Sequence, residues 1–244
     1  MNIHFLSFAT SNWEEAKRRY EIQLNAISDK FSFFKSAKFL TEKDLGDDYN
    51  SSFKEYLSDH GYAYWSWKPY LLSKKLEEID DGDFILYMDG GCSFPEDDTV
   101  LNEFLLKVSE KCNELNDKEL FIGCSKCKTA SVNKIIRREI LEYFNLLNDM
   151  DFLLNFPHYQ AGVLLIRKND ASVNFVNEWF SIMKSEYKKL LHFSFFDKRE
   201  QVPGFIHHGG DQAIFLCLLH KNNINVLNCD DLFLDFKVIT RIRK

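Results

Sequence analysis

Short apolar runs alternate with amphipathic stretches along the whole of this chain. Residues 3–9 (IHFLSFA) form an apolar run suited to a buried strand. Thr10-Ser11-Asn12 interrupts it, and Ser11 with Glu14 three positions on has capping-box spacing. Trp13, Ala16, Tyr20, Leu24 and Ile27 then recur at steps of three and four, which predicts a helix. Residues 31–39 are read as a second strand, and 44–52, with Gly46, Asp47, Asp48 and Asn50, as a loop. Pro69 suits the first turn of a helix, where its missing N–H costs nothing, and Leu72, Leu76 and Ile79 give that helix an apolar face. Asp80-Asp81-Gly82-Asp83 is turn chemistry, and residues 84–88 (FILYM) make the next strand.

The same rhythm continues to the end. Helices are expected over 97–115, from Ser131 to about 147, from Asp170 through Tyr187, and from about Asp211. Strands are expected at 120–124 (LFIGC), 161–166 (AGVLLI) and 224–227 (INVL), and 192–208 reads as a loop. Strand alternating with helix predicts an α/β fold: a single Rossmann-like, mostly parallel sheet with helices on both faces. One domain spans 1–244, with no linker, internal repeat or low-complexity segment.

Candidate chemistry gathers at strand ends. Asp89 closes the 84–88 strand and is followed by Gly90 and Gly91. In an open α/β sheet, ligand crevices lie at such carboxyl ends, and glycines let a ligand approach the backbone. A carboxylate there suits a divalent cation bridging two phosphates; the structural alternative is a turn cap. Lys68, between Trp67 and Pro69, can set a point charge near phosphates or lie on the surface. Trp65 and Trp67, with Tyr62 and Tyr64, can stack on a sugar or base, or pack in the core. His207-His208-Gly209-Gly210-Asp211-Gln212 is the second dense polar cluster. Asp211 is either the cap of an apolar helix or a general base orienting a hydroxyl, and His208 a metal ligand or phosphate donor. Gln160, ahead of Gly162, can donate and accept together, as sugar hydroxyls require.

Composition narrows the classes. At 45% hydrophobic and 15% aromatic residues the chain is globular rather than disordered. A net charge of -6 argues against nucleic-acid binding, which needs basic surface. The end, 237–244 (KVITRIRK), is locally basic: a solvated tail, or a weak electrostatic contact with an anionic membrane. No signal peptide and no spanning run is read, so the chain is expected in the cytoplasm, with that contact at the inner membrane face. The six cysteines are then expected as thiols, and Cys124-Ser-Lys-Cys127 lacks the second ligand pair that zinc needs. No Walker loop, G-x-G-x-x-G or G-x-S-x-G occurs, which removes support for kinases, dehydrogenases and α/β-hydrolases.

Three segments in order, GYAYWSWKP (61–69), YMDGGC (87–92) and HGGDQ (208–212), resemble bacterial glycosyltransferases of the glycosyltransferase A fold, specifically small enzymes of surface-polysaccharide assembly with G-Y-x-x-W-x-W-K-P, Y-x-D-x-G-C and H-x-x-D-Q segments. The resemblance covers most of the chain. It implies a nucleotide-diphospho-sugar donor such as a UDP-sugar, a Mn²⁺ or Mg²⁺ ion, and a saccharide or lipid-linked acceptor. Donor binding would fall to Thr10, Ser11, Lys68, Tyr87, Asp89, Gly90 and Gly91, in a donor half of about 1–125. Acceptor binding would fall to Trp65, Trp67, Gln160, Gly162 and Gln212, with the acceptor half at about 126–244. Asp211 would be catalytic, and Asp89 and His208 metal ligands. Tyr87 stands where the common Asp-x-Asp pattern has its first Asp, which leaves open metal-independent transfer with Lys68 or His208 as the cation. A nucleotidyltransferase, or a non-catalytic carbohydrate-binding protein that keeps the fold, are the rival readings.

Overall fold

A computed structural model describes residues 1–28, 34–128, 130–192 and 200–238. The elements run β1 (Ile3–Phe8), α1 (Glu14–Ser28), β2 (Phe34–Leu40), α2 (Asp47–Phe53), α3 (His60–Tyr64), α4 (Trp67–Glu78), β3 (Phe84–Asp89), α5 (Asp98–Asp117), β4 (Ile122–Lys126), α6 (Arg138–Tyr143), α7 (Met150–Asn155), β5 (Tyr159–Arg167), α8 (Asp170–Ser185), α9 (Tyr187–Leu190), α10 (Asp211–Lys221), β6 (Leu227–Asn228) and α11 (Asp230–Phe233). Six strands form one sheet in the order β2-β1-β3-β5-β4-β6. β1 is parallel to β2 and β3, and β4 to β6, while β5 runs antiparallel to both its neighbours. The expected single α/β sheet is therefore present, with β5 as its reversed member.

Strand alternation assigns the two faces. Ile85 and Tyr87 of β3, with Leu164 and Ile166 of β5, pack on the side covered by α4, α8 and α10. Phe84, Leu86 and Met88, with Val163 and Leu165, pack on the side of α1, α5 and α11. All six residues of β1 are buried, as a strand covered on both faces requires. Among the described residues no helix is long and apolar enough to cross a membrane.

Several boundaries differ from the sequence reading. Residues 47–53 are helical, not looped, because Tyr49 and Phe53 lie one turn apart and bury the same face. The helix expected from Ser131 to 147 is a 3-10 turn at Val132–Lys134 followed by the six-residue α6. The late strand shrinks to Leu227–Asn228. Ser11 does not close a capping box with Glu14; its N–H and hydroxyl both donate to Glu42. Residues 31–33 of the second expected strand, 193–199 of the expected loop and 239–244 of the basic end lie outside the described residues.

α3 departs most from regular geometry. Gly61, Tyr62, Ala63, Tyr64 and Trp65 have φ of 67°, 56°, 61°, 46° and 60°, a left-handed turn. For non-glycine residues this costs about 1–2 kcal/mol each. Packing and hydrogen bonds hold it: the Trp65 N–H and the Trp67 indole N–H both donate to the Gly61 carbonyl, at 3.2 and 3.0 Å. Ser66 follows at φ -60°, bonded to the Tyr49 hydroxyl at 2.8 Å, and the chain enters α4. The turn thus fixes where α4 begins, and with it Lys68.

Gly61→Ala should lower unfolding free energy by more than about 1–2 kcal/mol, the backbone penalty alone, because its Cβ would also fall 2.5 Å from the Trp65 ring. Gly82→Ala, also at positive φ but with nothing within 4 Å, should cost only the backbone share. Urea titration of both variants checks the difference.

Candidate active site

β1 lies between β2 and β3, so the strand order reverses at the boundary between the parallel strands β1 and β3, the switch point where α/β sheets hold ligands. Phe8 and Asp89 end the two strands in register. Alternation carries Asp89 to the same face as Tyr87, towards α4 and α10. There the Lys68 Nζ lies 3.2 Å from Asp89 Oδ1 and 2.8 Å from Asp211 Oδ2. Lys68 and Asp211 side chains are 3% and 5% exposed, while Asp89 is 36% exposed. The three form a stack running inward from Asp89 to Asp211.

The surroundings fix each member. The Tyr87 hydroxyl donates to Asp89 Oδ1 at 2.6 Å, and the Tyr20 hydroxyl to the Asp89 carbonyl at 3.2 Å. Arg19 donates to the carbonyls of Gly90 and Cys92 at 2.8 and 2.7 Å, tying the loop after β3 to α1. The Trp179 indole donates to the Asp211 carbonyl at 3.2 Å and so anchors the start of α10. Lys68 sits in the first turn of α4, where the helix dipole disfavours a cation, and Asp211 opens α10, where it favours an anion. Burial works against the Lys68 charge, but Asp211 and Asp89 outweigh it and hold the ammonium above the usual lysine range. Burial pushes the Asp211 carboxyl up to about 6, ahead of the downward pull of Lys68, because one ammonium serves two carboxylates.

Asp89 Oδ2 points towards Gly162. The antiparallel register pairs Tyr87 with Leu164 and Met88 with Val163, so Gly162 stands next in line opposite Asp89. A Cβ on Gly162 would lie 2.9 Å from Oδ2. The side chain missing at Gly162 therefore keeps one oxygen of Asp89 open while Tyr87 and Lys68 engage the other. With Asp211 ionised, the stack carries one net negative charge. Its outer oxygen fits a hard divalent cation as a single carboxylate ligand, the number such an ion takes when phosphates supply the rest. Among the described residues no group of three or more His, Cys, Asp or Glu could hold a metal alone.

Other expected site residues move. Asp211, expected as the base facing the acceptor, is buried beneath Lys68, with Oδ2 2.8 Å from its ammonium. Tyr87 is buried and spends its hydroxyl on Asp89. Trp67 is core: it stacks on Phe8 with centroids 4.1 Å apart. Gln212 uses its amide internally, Oε1 accepting from the Ala161 N–H at 3.3 Å and Nε2 bonded to His158 Nε2 at 2.6 Å. Burial, ahead of the charges of Arg137 and His207, brings His208 down to about 3. Its ring packs against Tyr64 at 5.2 Å, and its Nε2 is buried with no hydrogen-bond partner among the described residues. Gly90 is glycine because a Cβ would meet Ala9 at 2.8 Å, whereas Gly91 is open apart from Trp13 at 4.0 Å. Thr10, Trp65 and Gln160 stay partly exposed.

Sequence reading missed Arg19 and Tyr20. Arg19 and Tyr20 hold the Asp89 loop from about seventy residues away in the chain, and no local pattern reports that.

Lys68→Met should destabilise the fold by about 3–5 kcal/mol, the usual cost of stranding a buried charge. The folded Asp211 pKa lies above its unfolded value near 3.8, so its protonation stabilises the native state as pH falls through about 6. The loss should therefore be smaller at pH 5 than at pH 8, and Lys68→Met/Asp211→Asn should recover part of it at pH 8, by urea unfolding.

No family model and no curated protein matches the chain. Solved structures are similar to it: a glycosyltransferase involved in the glycosylation of the major capsid of PBCV-1 (10% identity, 98% of this chain and 92% of that one, TM-score 0.45), mouse xyloside xylosyltransferase 1 in its apo form (14%, 100% and 95%, TM-score 0.44), and the galactosyltransferase LgtC in complex with donor and acceptor sugar analogs (14%, 99% and 84%, TM-score 0.45). Likeness at this level carries no conclusion about activity, which has to come from the side chains.

Proposed function

We propose that this chain is a glycosyltransferase that moves a sugar from a nucleotide-diphospho-sugar, a UDP-sugar, to a hydroxyl of a saccharide or lipid-linked acceptor in bacterial surface-polysaccharide synthesis. The observation that carries the reading is the Asp89-Lys68-Asp211 stack at the β1/β3 switch point, with Asp89 Oδ2 left open over Gly162. In the transfer the bond from the anomeric carbon to the diphosphate breaks, its electron pair leaves on phosphate oxygen, and the acceptor oxygen bonds to that carbon as its proton passes to water. Asp89 Oδ2 would hold a Mn²⁺ or Mg²⁺ ion, which when bound neutralises the charge on the departing diphosphate. Tyr87 and Lys68 fix Asp89 by its other oxygen. Asp211 draws part of the Lys68 charge inward, so that Asp89 keeps enough negative charge to serve as a ligand. Thr10 and Gly91 line the donor side; Trp65 and Gln160, partly exposed, are the acceptor contacts. The donor half at 1–125 supplies Lys68 and Asp89, and the acceptor half at 126–244 supplies Gly162 and Asp211. We place the protein in the cytoplasm, working at the inner face of the membrane.

Incubation with a panel of nucleotide sugars, with Mn²⁺ or with chelator, should release nucleoside diphosphate from one donor in the metal-loaded arm. No release from any donor, with acceptor mixtures included, would favour a non-catalytic carbohydrate-binding protein. Asp89→Ala should abolish turnover in a cooperatively folded protein, and Gly162→Ala should lower it about a hundredfold or more by blocking Oδ2, a loss of at least ~2.7 kcal/mol in transition-state stabilisation. Since Asp211 ionises near 6 and brings the net charge of the stack to minus one, Mn²⁺ affinity should weaken as pH falls through about 6. Asp211→Asn should hold affinity low and flat across that range, read by calorimetric titration of Mn²⁺.

A further inference from the structure

His158 stands between α7 and β5 with its side chain buried. Its Nδ1 lies 3.1 Å from the Ala130 carbonyl, and its Nε2 lies 2.6 Å from Gln212 Nε2. A carbonyl only accepts, so Nδ1 carries the ring proton and donates it. The neutral ring then has a lone pair on Nε2, to which the Gln212 amide donates. The other end of that amide agrees, because Gln212 Oε1 accepts from the Ala161 N–H at 3.3 Å. Three hydrogen bonds thus run in one direction, from Ala161 through Gln212 and His158 to Ala130. Each fixes the polarity of the next.

A second proton on the ring breaks this relay. It would set an Nε2–H against the Gln212 NH₂ at 2.6 Å, two donors with no acceptor between them. Turning the amide over would satisfy the ring but bring the NH₂ against the Ala161 N–H. The surroundings oppose that proton too. Burial holds the ring below the usual histidine range against the upward pull of the Ala130 carbonyl. The charges of His207, in the loop before α10, and Lys134, in the 3-10 turn at Val132–Lys134, add to the depression. The Ala161 N–H belongs to the Gln160–Ala161 peptide, so the relay ties the start of β5 to the first turn of α10 beside a part-exposed acceptor contact, Gln160.

We propose that His158 is a positioning residue for the acceptor: its unprotonated Nε2 locks the Gln212 amide, which holds the Gln160–Ala161 peptide so that Gln160 meets saccharide hydroxyls. This rests on the nucleotide-sugar reading above and adds a pH-sensitive support to its acceptor side. His158 acts through Gln212 and Ala161 and does not touch the acceptor.

Two measurements on the full chain test this. Long-range proton–nitrogen NMR of the histidine rings at neutral pH should show His158 as the Nδ1–H tautomer; the Nε2–H tautomer overturns the proposal. Kinetics use the donor selected by the panel above, saturating Mn²⁺ and a methyl hexoside as acceptor. The wild-type KM for the hexoside should rise as pH falls below about 6.5, the ordinary histidine value. His158→Gln, whose side-chain oxygen can accept where Nε2 does and does not titrate, should keep the low KM and flatten its pH dependence. His158→Leu should raise the hexoside KM about tenfold at neutral pH, the scale of one lost hydrogen bond, with the KM for the nucleotide sugar unchanged. Should His158→Leu not fold, the tautomer and the His158→Gln profile still decide. A hexoside KM that is flat across that range, turnover that ignores the hexoside altogether, or a pH dependence that survives in His158→Gln overturns this inference and leaves the nucleotide-sugar reading standing. No turnover of any nucleotide sugar removes both.

Discussion

The Lys68 ammonium holds the end of β3 and the start of α10 against one another, at 3.2 and 2.8 Å from Asp89 and Asp211. Removing the ammonium from this buried arrangement leaves two carboxylates without compensation, so both side chains depend on Lys68. The asymmetry within the stack gives it chemical use. Asp211 is sealed below, Asp89 reaches solvent above, and the lysine between them keeps the pair from repelling. One cation cannot neutralise two carboxylates, so the outer one retains negative charge where a substrate or metal can meet it.

Backbone strain and aromatic packing put that lysine in place. The left-handed turn from Gly61 to Trp65 is unfavourable by itself and persists because the indoles around it, and the Gly61 carbonyl that two N–H groups share, over-determine it. Trp67 stacks on Phe8 at the end of β1, so the turn is keyed to the strand whose neighbour carries Asp89. The aromatic content of this segment thus serves mainly to aim α4. Residues that looked like sugar-stacking platforms are largely the mould in which Lys68 is cast.

The reversed strand β5 contributes in a different way. Its antiparallel register brings Gly162 opposite Asp89, and the absence of a side chain there leaves Oδ2 free. A residue in the second half of the chain therefore decides what the carboxylate of the first half can bind. Arg19 and Tyr20 of α1 brace the same loop from the opposite face of the sheet.

The pattern of apolar runs was enough to give one α/β sheet, the buried β1 and β3, and the strand-end position of Asp89, because burial on both faces and period-two alternation are local properties. It also brought Lys68, Asp89 and Asp211 forward, since charged residues beside apolar elements stand out in any sequence. It did not show that the three touch, that Asp211 is the buried member, or that Tyr87, Trp67 and Gln212 serve the protein's own packing. Those outcomes depend on the crossing from β2 back to β3, the reversal of β5 and the burial each side chain receives. Such contacts join residues from about twenty to over a hundred and forty positions apart, and only the folded chain brings them within hydrogen-bonding reach.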